Sequence, residues 1–378
     1  MVANNRLPLE SLLYCAAPMV GQSDLPFRLQ TVRNGATSTW TQMYLAPDLN
    51  SDQDMLETLC KSLEVGQSAP ENVIRDSTHP LAGTSAPQIV QLAGNDVQQL
   101  VESARKVAHL ADAIDLNLGC PQRHAEQGHY GAYLLPKQNW PLLTELVSGL
   151  VQAVDIPITT KIRLTVPKEQ TPQLAVTLAR AGSSLVTLHP RFASSVRRRK
   201  GLADLEQVVH VREALQAEGL LRSVDQPQGA TAVVSNGNVR CWDDVGTNLA
   251  LTGASGVMVG ETLLENPALF RPSLLAQDRV DTSSEMSPRQ MAQEYLDLRD
   301  RYQAFESPLK VAKQHLQSIL CSIPYLPSPD PSTTAEQHRS AALMTQTIKS
   351  IQSDSDLDQF RKQYLYEPTA IESSSMSP

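Results

Sequence analysis

Eight short, β-rich apolar runs punctuate this chain, at Leu13–Ala17, Ser38–Met43, Gln88–Leu92, Ala113–Asn117, Ile158–Arg163, Leu185–His189, Ala232–Asn236 and Gly256–Val259. Stretches with helical spacing lie between most of them: Val97–Leu110, Trp140–Val154, Thr171–Ala181, Ala203–Ala217 and Trp242–Leu251. A strand that leads through a long helix into the next strand makes a crossover, so the strands run parallel. Eight such units predict an α/β fold, a closed (β/α)8 barrel of about 250 residues; an open doubly wound sheet is the alternative. The barrel takes residues 1–276, with insertions at about 64–86 and 219–229 whose Ser, Pro and Gly content predicts mobile surface loops.

Beyond Gln277 the alternation stops, and Ser287–Phe305, Leu309–Ile323 and Thr334–Ile351 read as helices separated by proline-rich breaks. A smaller all-α domain over residues 285–366 follows, and the serine-rich end, 367–378, is too polar to bury and predicts a disordered tail. With 41% apolar and 19% charged residues the composition is that of a soluble globular protein. No run approaches the roughly 20 apolar residues of a membrane span, and no secretory signal is visible. The cysteines Cys15, Cys60, Cys120, Cys241 and Cys321 form no C-x-x-C pair, which disfavours zinc or a disulfide framework. A reducing compartment fits best, the cytoplasm first and the nucleus in addition. A net charge of −8 argues against nonspecific nucleic-acid binding. The local exception is Arg197-Arg198-Arg199-Lys200, readable as an RNA contact or as a solvated loop.

In a barrel of this kind the C-terminal strand ends carry the chemistry. Here those ends are polar: Gln91, Asn117, Lys161 with Arg163, His189 with Arg191, and Asn236. Burying Lys or Arg at the end of an apolar strand costs several kcal/mol unless a partner offsets it, and a shared ligand would be such a partner. Residues two apart point to the same face of a strand, so each pair could face one pocket. The loops after the last two strands, Ser235-Asn236-Gly237-Asn238 and Val259-Gly260-Glu261-Thr262, suit phosphate binding or plain turns.

Cys120 directly follows the fourth strand, in Asn117-Leu118-Gly119-Cys120-Pro121-Gln122. A free thiol is mostly protonated at neutral pH and can donate a proton; no neighbouring base in the sequence suggests a thiolate nucleophile.

These residues together resemble the tRNA-dihydrouridine synthases. The carriers are Ala17-Pro18-Met19-Val20 with Ser23 and Phe27-Arg28, Gln91 to Asp96, Asp115 to Gln122, and Lys161-Ile162-Arg163. Gly128 to Leu134 and Asn266 to Phe270 look most like the eukaryotic subgroup acting on D-loop uridines 16 and 17. The resemblance implies an FMN barrel with a helical tRNA-binding domain that reduces uridine with electrons from NADPH, and a monomer is expected. It implies that Pro18, Met19, Gln91, Lys161, His189, Asn236, Gly237, Asn238, Gly260 and Glu261 hold FMN, that Asn117, Arg163 and Arg191 face the flavin and uridine, and that Cys120 protonates the base. The chain departs from the family pattern at His189-Pro190-Arg191-Phe192, where Pro190 lacks an N–H and fixes φ, and at Gly260-Glu261-Thr262. A barrel oxidoreductase of the dihydroorotate dehydrogenase type and a tRNA-binding barrel without catalysis are the alternatives.

Overall fold

The computed structural model describes residues 6–77, 79–193, 201–271, 286–302, 307–322 and 331–365. The eight runs form β1 (Tyr14–Ala16), β2 (Ser38–Leu45), β3 (Gln88–Ala93), β4 (Ala113–Leu118), β5 (Ile158–Leu164), β6 (Leu185–Phe192), β7 (Ala232–Asn236) and β8 (Gly256–Val259). Each pairs in parallel with its sequence neighbours, and β8 returns to β1 from Tyr14↔Val257 to Ala16↔Val259. The sheet closes, so the open doubly wound alternative falls.

The pleat sends alternate side chains inward. Trp40, Ile89, Ala113, Leu185, Ala232, Val234 and Met258 cluster in the barrel. Their neighbours Val90, Leu92, Ile114, Leu116, Ile162, Val186 and Leu188 belong to the larger core under the helices. Toward the C-terminal strand ends the inner residues turn polar in register: Gln91 pairs Asp115, Asn117 pairs Lys161, and Arg163 pairs His189.

The helices around the barrel are α1 (Leu25–Arg33), α2 (Ala46–Ser51), α3 (Gln53–Ser68), α4 (Val97–Val107), α5 (Arg123–Gln127), α6 (Trp140–Ala153), α7 (Thr171–Arg180), α8 (Glu206–Ala217), α9 (Trp242–Thr252) and α10 (Glu261–Glu265). α1 is buried from Leu25 to Val32 and so lacks the one-sided apolar stripe that marks a surface helix. α3 starts on a cap, Asp52 accepting from the Met55 N–H at 2.9 Å, and runs to Ser68.

Neither insertion is a loose excursion. The first begins inside α3, Val73 bridges Ser85, and Glu71, Asn72, Ile74 and His79 are buried. The second is tied down at the N-terminal end of the strands: Leu221 bridges Thr231, Arg222 donates to the Leu7 carbonyl at 2.9 Å, and Arg6 donates to that of Gly229 at 2.7 Å. Ser, Pro and Gly report turns there; the backbone polar groups still find partners.

The C-terminal helices are α11 (Pro288–Arg301), α12 (Leu309–Leu320), α13 (Pro331–Ser350) and α14 (Asp354–Tyr364). α14 hides in a Ser- and Asp-rich stretch; its signal is the capping box of Ser353 and Asp356. Met291, Tyr295, Leu316, Ile319 and Phe360 share one core with Phe27 and Val32 of α1 and with Leu263 and Phe270 after β8. At this junction the buried Asp24 carboxylate accepts from Tyr295 Oη at 2.8 Å and from Ser307 Oγ, and meets His315 Nε2 at 2.8 Å. Arg301 and Tyr302 also donate to buried Glu71 of the first insertion. The expected boundary near 276–285 and the tail 367–378 lie outside the described residues. Among the described residues no helix is long and apolar enough to cross a membrane.

Candidate functional site

A cavity of about 780 Å³ opens at the C-terminal ends of the strands. Every ligand residue expected from the sequence within the described part of the chain lines it: Pro18, Met19, Gln91, Asn117, Cys120, Lys161, Arg163, His189, Arg191, Asn236, Gly237, Asn238, Gly260 and Glu261. Arg197 to Lys200 lie outside the described residues. Gly201 and Leu202, which follow them, are part of the lining.

The cavity floor is a chain of side chains. Asp115 accepts from Thr159 Oγ1 at 2.6 Å and from Gln91 Nε2 at 2.7 Å; Gln91 Oε1 accepts from Asn117 Nδ2 at 2.8 Å. Asn117 Oδ1 then accepts from the Gly119 and Cys120 N–H groups at 3.1 and 2.9 Å. Gln91 and Asn117 therefore set the pose of the cysteine loop in addition to facing the cavity. Burial raises the Asp115 carboxyl to about 6, against the hydrogen bonds from Gln91 and Thr159. In the sequence Asp115 carries no mark of a role beyond its motif, because an inward carboxylate one layer below the cavity reads as part of the strand.

The loop that carries Cys120 is closed behind it. Ala132 donates to the Cys120 carbonyl at 3.0 Å, and Gly131, at φ +64°, comes so close that a Cβ there would lie 2.9 Å from that oxygen. Burial pushes the Cys120 thiol up, opposed by a backbone hydrogen bond and by Arg163 and Lys161, so the sulfur keeps its proton at neutral pH. The sequence reading found no base beside it. α5 supplies one: His124 Nε2 stands 4.0 Å from Cys120 Sγ. The available signal was the four-residue spacing, which a helical turn after Pro121 folds together.

Across the cavity the cations crowd. Lys161 Nζ donates to Asn236 Oδ1 at 2.9 Å, and burial, helped by Arg163, lowers it to about 8. Arg163 donates from Nε to the Gly119 carbonyl at 2.9 Å, and burial and Arg191 lower it too. Arg191 Nη1 meets His189 Nε2 at 2.9 Å. Burial, then Lys161, Arg163 and Arg191, hold His189 well below its ordinary range, so the ring is neutral and can accept that bond.

Pro190 does not turn Arg191 away. It is buried while His189 and Arg191 line the cavity, and the pairing of β5 with β6 shifts register just there, between Arg163 and Leu164. A register shift absorbs a residue that has no N–H to give. Gly237 (φ +137°) and Asn238 (φ +56°) make the turn after β7. The Asn238 amide clasps Ala203, accepting from its N–H and donating to its carbonyl at 2.8 Å each, so this side chain also anchors the loop before α8.

A sequence profile of the dihydrouridine synthase (Dus) family matches residues 15–325. The chain is 29% identical over 310 residues to the tRNA-dihydrouridine(16/17) synthase [NAD(P)(+)] of Schizosaccharomyces pombe, covering 80% of this chain and 68% of that protein. To the mouse tRNA-dihydrouridine(16/17) synthase [NAD(P)(+)]-like protein it is 32% identical over 305 residues, covering 80% of this chain but 54% of the relative. To the human tRNA-dihydrouridine(20a/20b) synthase [NAD(P)+]-like protein it is 30% identical over 262 residues, 68% of this chain and 71% of that one. The chain thus spans between half and about two thirds of the length of its 16/17 relatives. Among solved structures, a 2-naphthoyl-CoA reductase complex superposes with a TM-score of 0.50 at 12% identity, over 70% of this chain and 50% of that one, a likeness of fold alone.

Proposed function

The chain belongs to the dihydrouridine synthase family, and from that premise we propose that it reduces uridine to 5,6-dihydrouridine in the D loop of tRNA, at positions 16 and 17. The observation that carries this reading is one cavity in which a protonated thiol, Cys120, faces a cluster of cations, Lys161, Arg163 and Arg191.

FMN fits the residues present. The cavity volume lies within the roughly 300–1,000 Å³ of cofactor pockets. Burial first, and then mutual repulsion, lowers Lys161, Arg163 and His189, and a bound anion would relieve that repulsion. Pro18, Met19, Gln91, Lys161 and Asn236 would hold the ring system, and His189, Gly237, Asn238, Gly260 and Glu261 the phosphate end. Bound FMN, reduced by NADPH, would supply a hydride to uridine C6. Lys161 would hold a positive charge where the reduced cofactor is negative. Arg163 and Arg191 would hold the base, and the Asp115–Gln91–Asn117 chain would aim Cys120 so that its thiol gives a proton to C5. A uridine within folded RNA must first be turned out of its stack. Incubating the purified chain with FMN, NADPH and tRNA lacking dihydrouridine, then mapping the product, tests the reading; no product at positions 16 and 17 would refute it.

Two expectations follow from charge. Lys161, near 8 without a ligand, is partly neutral above that pH, whereas a bound anion holds it charged. FMN binding to the flavin-free protein at pH 9 should therefore take up close to one proton, and at pH 6 almost none from this group. Calorimetry in buffers of different ionisation heat reads this directly, and Lys161→Gln should abolish the uptake at pH 9; equal uptake by the variant would count against the placement.

Neutralising Arg197, Arg198, Arg199 and Lys200 together should weaken tRNA binding. It should also flatten the salt dependence by about one slope unit per lost phosphate contact. An unchanged slope would leave this run a solvated loop.

A further inference from the structure

Cys120 and His124 divide between two environments. The thiol lines the cavity, whereas His124 is not part of the lining and is exposed on α5, with Nε2 4.0 Å from the sulfur. The imidazole thus touches both the thiol and bulk water. We propose that His124 is the proton relay of Cys120, returning a solvent proton to the sulfur after each reduction. This rests on the reading that Cys120 protonates uridine C5.

The balance is simple. The thiol proton leaves with C5 and the sulfur keeps the electron pair as a thiolate; the imidazolium N–H passes its proton to that sulfur, and the neutral ring takes the next proton from water. No electrons move. Burial raises the thiol, which favours return of the proton to the sulfur.

The other groups that face the pair do not serve. Tyr130 Oη is buried, has no hydrogen-bond partner among the described residues, and is pushed up to about 12 by burial, by Cys120 and by Asp48 of α2. Tyr133, which faces Glu126 as well as Cys120, donates its hydroxyl to the Pro121 carbonyl at 3.2 Å. Lys161 and Arg163 approach from β5, on the cavity side, and are engaged with Asn236 and the Gly119 carbonyl. Among these groups the imidazole is the one that stands exposed to water while it touches the thiol.

The test uses the full chain carrying FMN and two variants, His124→Leu and His124→Gln, the second keeping a polar group within reach but no proton exchange near neutrality. Steady-state uridine reduction should fall about tenfold in both, the worth of replacing a placed proton donor with water. Added millimolar imidazole should restore most of it. Wild-type turnover in the Gln variant, or a loss that imidazole does not repair, would overturn the relay and leave His124 a packing residue of α5. A second readout is independent of tRNA: the rate at which iodoacetamide modifies Cys120, followed on its own peptide by mass spectrometry across pH. Removing the ring should move that profile upward, with several-fold slower modification at pH 8 in His124→Leu. If the wild type reduces no uridine, the function fails while this profile still judges the pair; an unmoved profile overturns the coupling.

Discussion

Replacing Cys120 by alanine is expected to leave a yellow protein whose flavin is still reduced by NADPH, while uridine reduction falls by about two orders of magnitude or more, the usual worth of a general acid. That corresponds to about 2.7 kcal/mol of transition-state stabilisation. The loop should not collapse in the variant, because main-chain groups hold it: the Gly119 and Cys120 N–H groups donate to Asn117 Oδ1 and Ala132 donates to the Cys120 carbonyl. The missing part is therefore the proton alone. Cys120→Ser sharpens the point, since a hydroxyl of similar size gives up its proton far less readily than a thiol and should be nearly as slow as alanine. Rapid-mixing measurement of flavin reduction by NADPH and of its reoxidation by tRNA separates the two halves. Near-normal reoxidation by Cys120→Ala would remove Cys120 from the chemistry.

The strands and the cavity-facing side chains were legible in the sequence for the same reason. A strand alternates with a period of two, so an apolar run that turns polar at one end declares both its element and its functional end. Lys161 with Arg163 and His189 with Arg191 could be paired from that period alone, and they meet in one cavity. Other features carried no such mark. α1 is buried on nearly all sides and shows no stripe, and the first insertion looks polar although Glu71 is 3% exposed. Asp115 sits a layer below the cavity, so its part in aiming Cys120 through Gln91 and Asn117 depends on three strands meeting. His124 needed the short helix α5, which five residues do not announce. The partners of Asp24 are the extreme case, separated from it by 271 to 291 positions, a distance over which no local pattern speaks.

That carboxylate is where stability should be most sensitive. Asp24 joins the start of α1, five residues beyond the cavity-lining Met19, to α11, the segment before α12, and α12 itself. Asp24→Ala would strand Tyr295 Oη, Ser307 Oγ and His315 Nε2 without their acceptor, in a site where Asp24, Tyr295, Ser307 and His315 are all buried. One orphaned buried donor costs about 1–3 kcal/mol, so the variant should lose about 3 kcal/mol or more. Scaled to the 378 residues of this chain, at about 1–2 °C per kcal/mol, the apparent Tm should fall by roughly 4 °C or more. Asp24→Asn, which retains one acceptor oxygen, should lose distinctly less. The apolar contacts of Tyr295, Leu316 and Phe360 with Phe27 remain in both variants, so the helices should loosen from the barrel before the barrel unfolds. Hydrogen exchange would then show α11 and α12 losing protection first, with α6 and α7 on the far side of the barrel unaffected. A Tm shift below about 2 °C, or exchange that rises uniformly over the barrel, would mean that the apolar core alone holds the helical unit and that the Asp24 cluster contributes little.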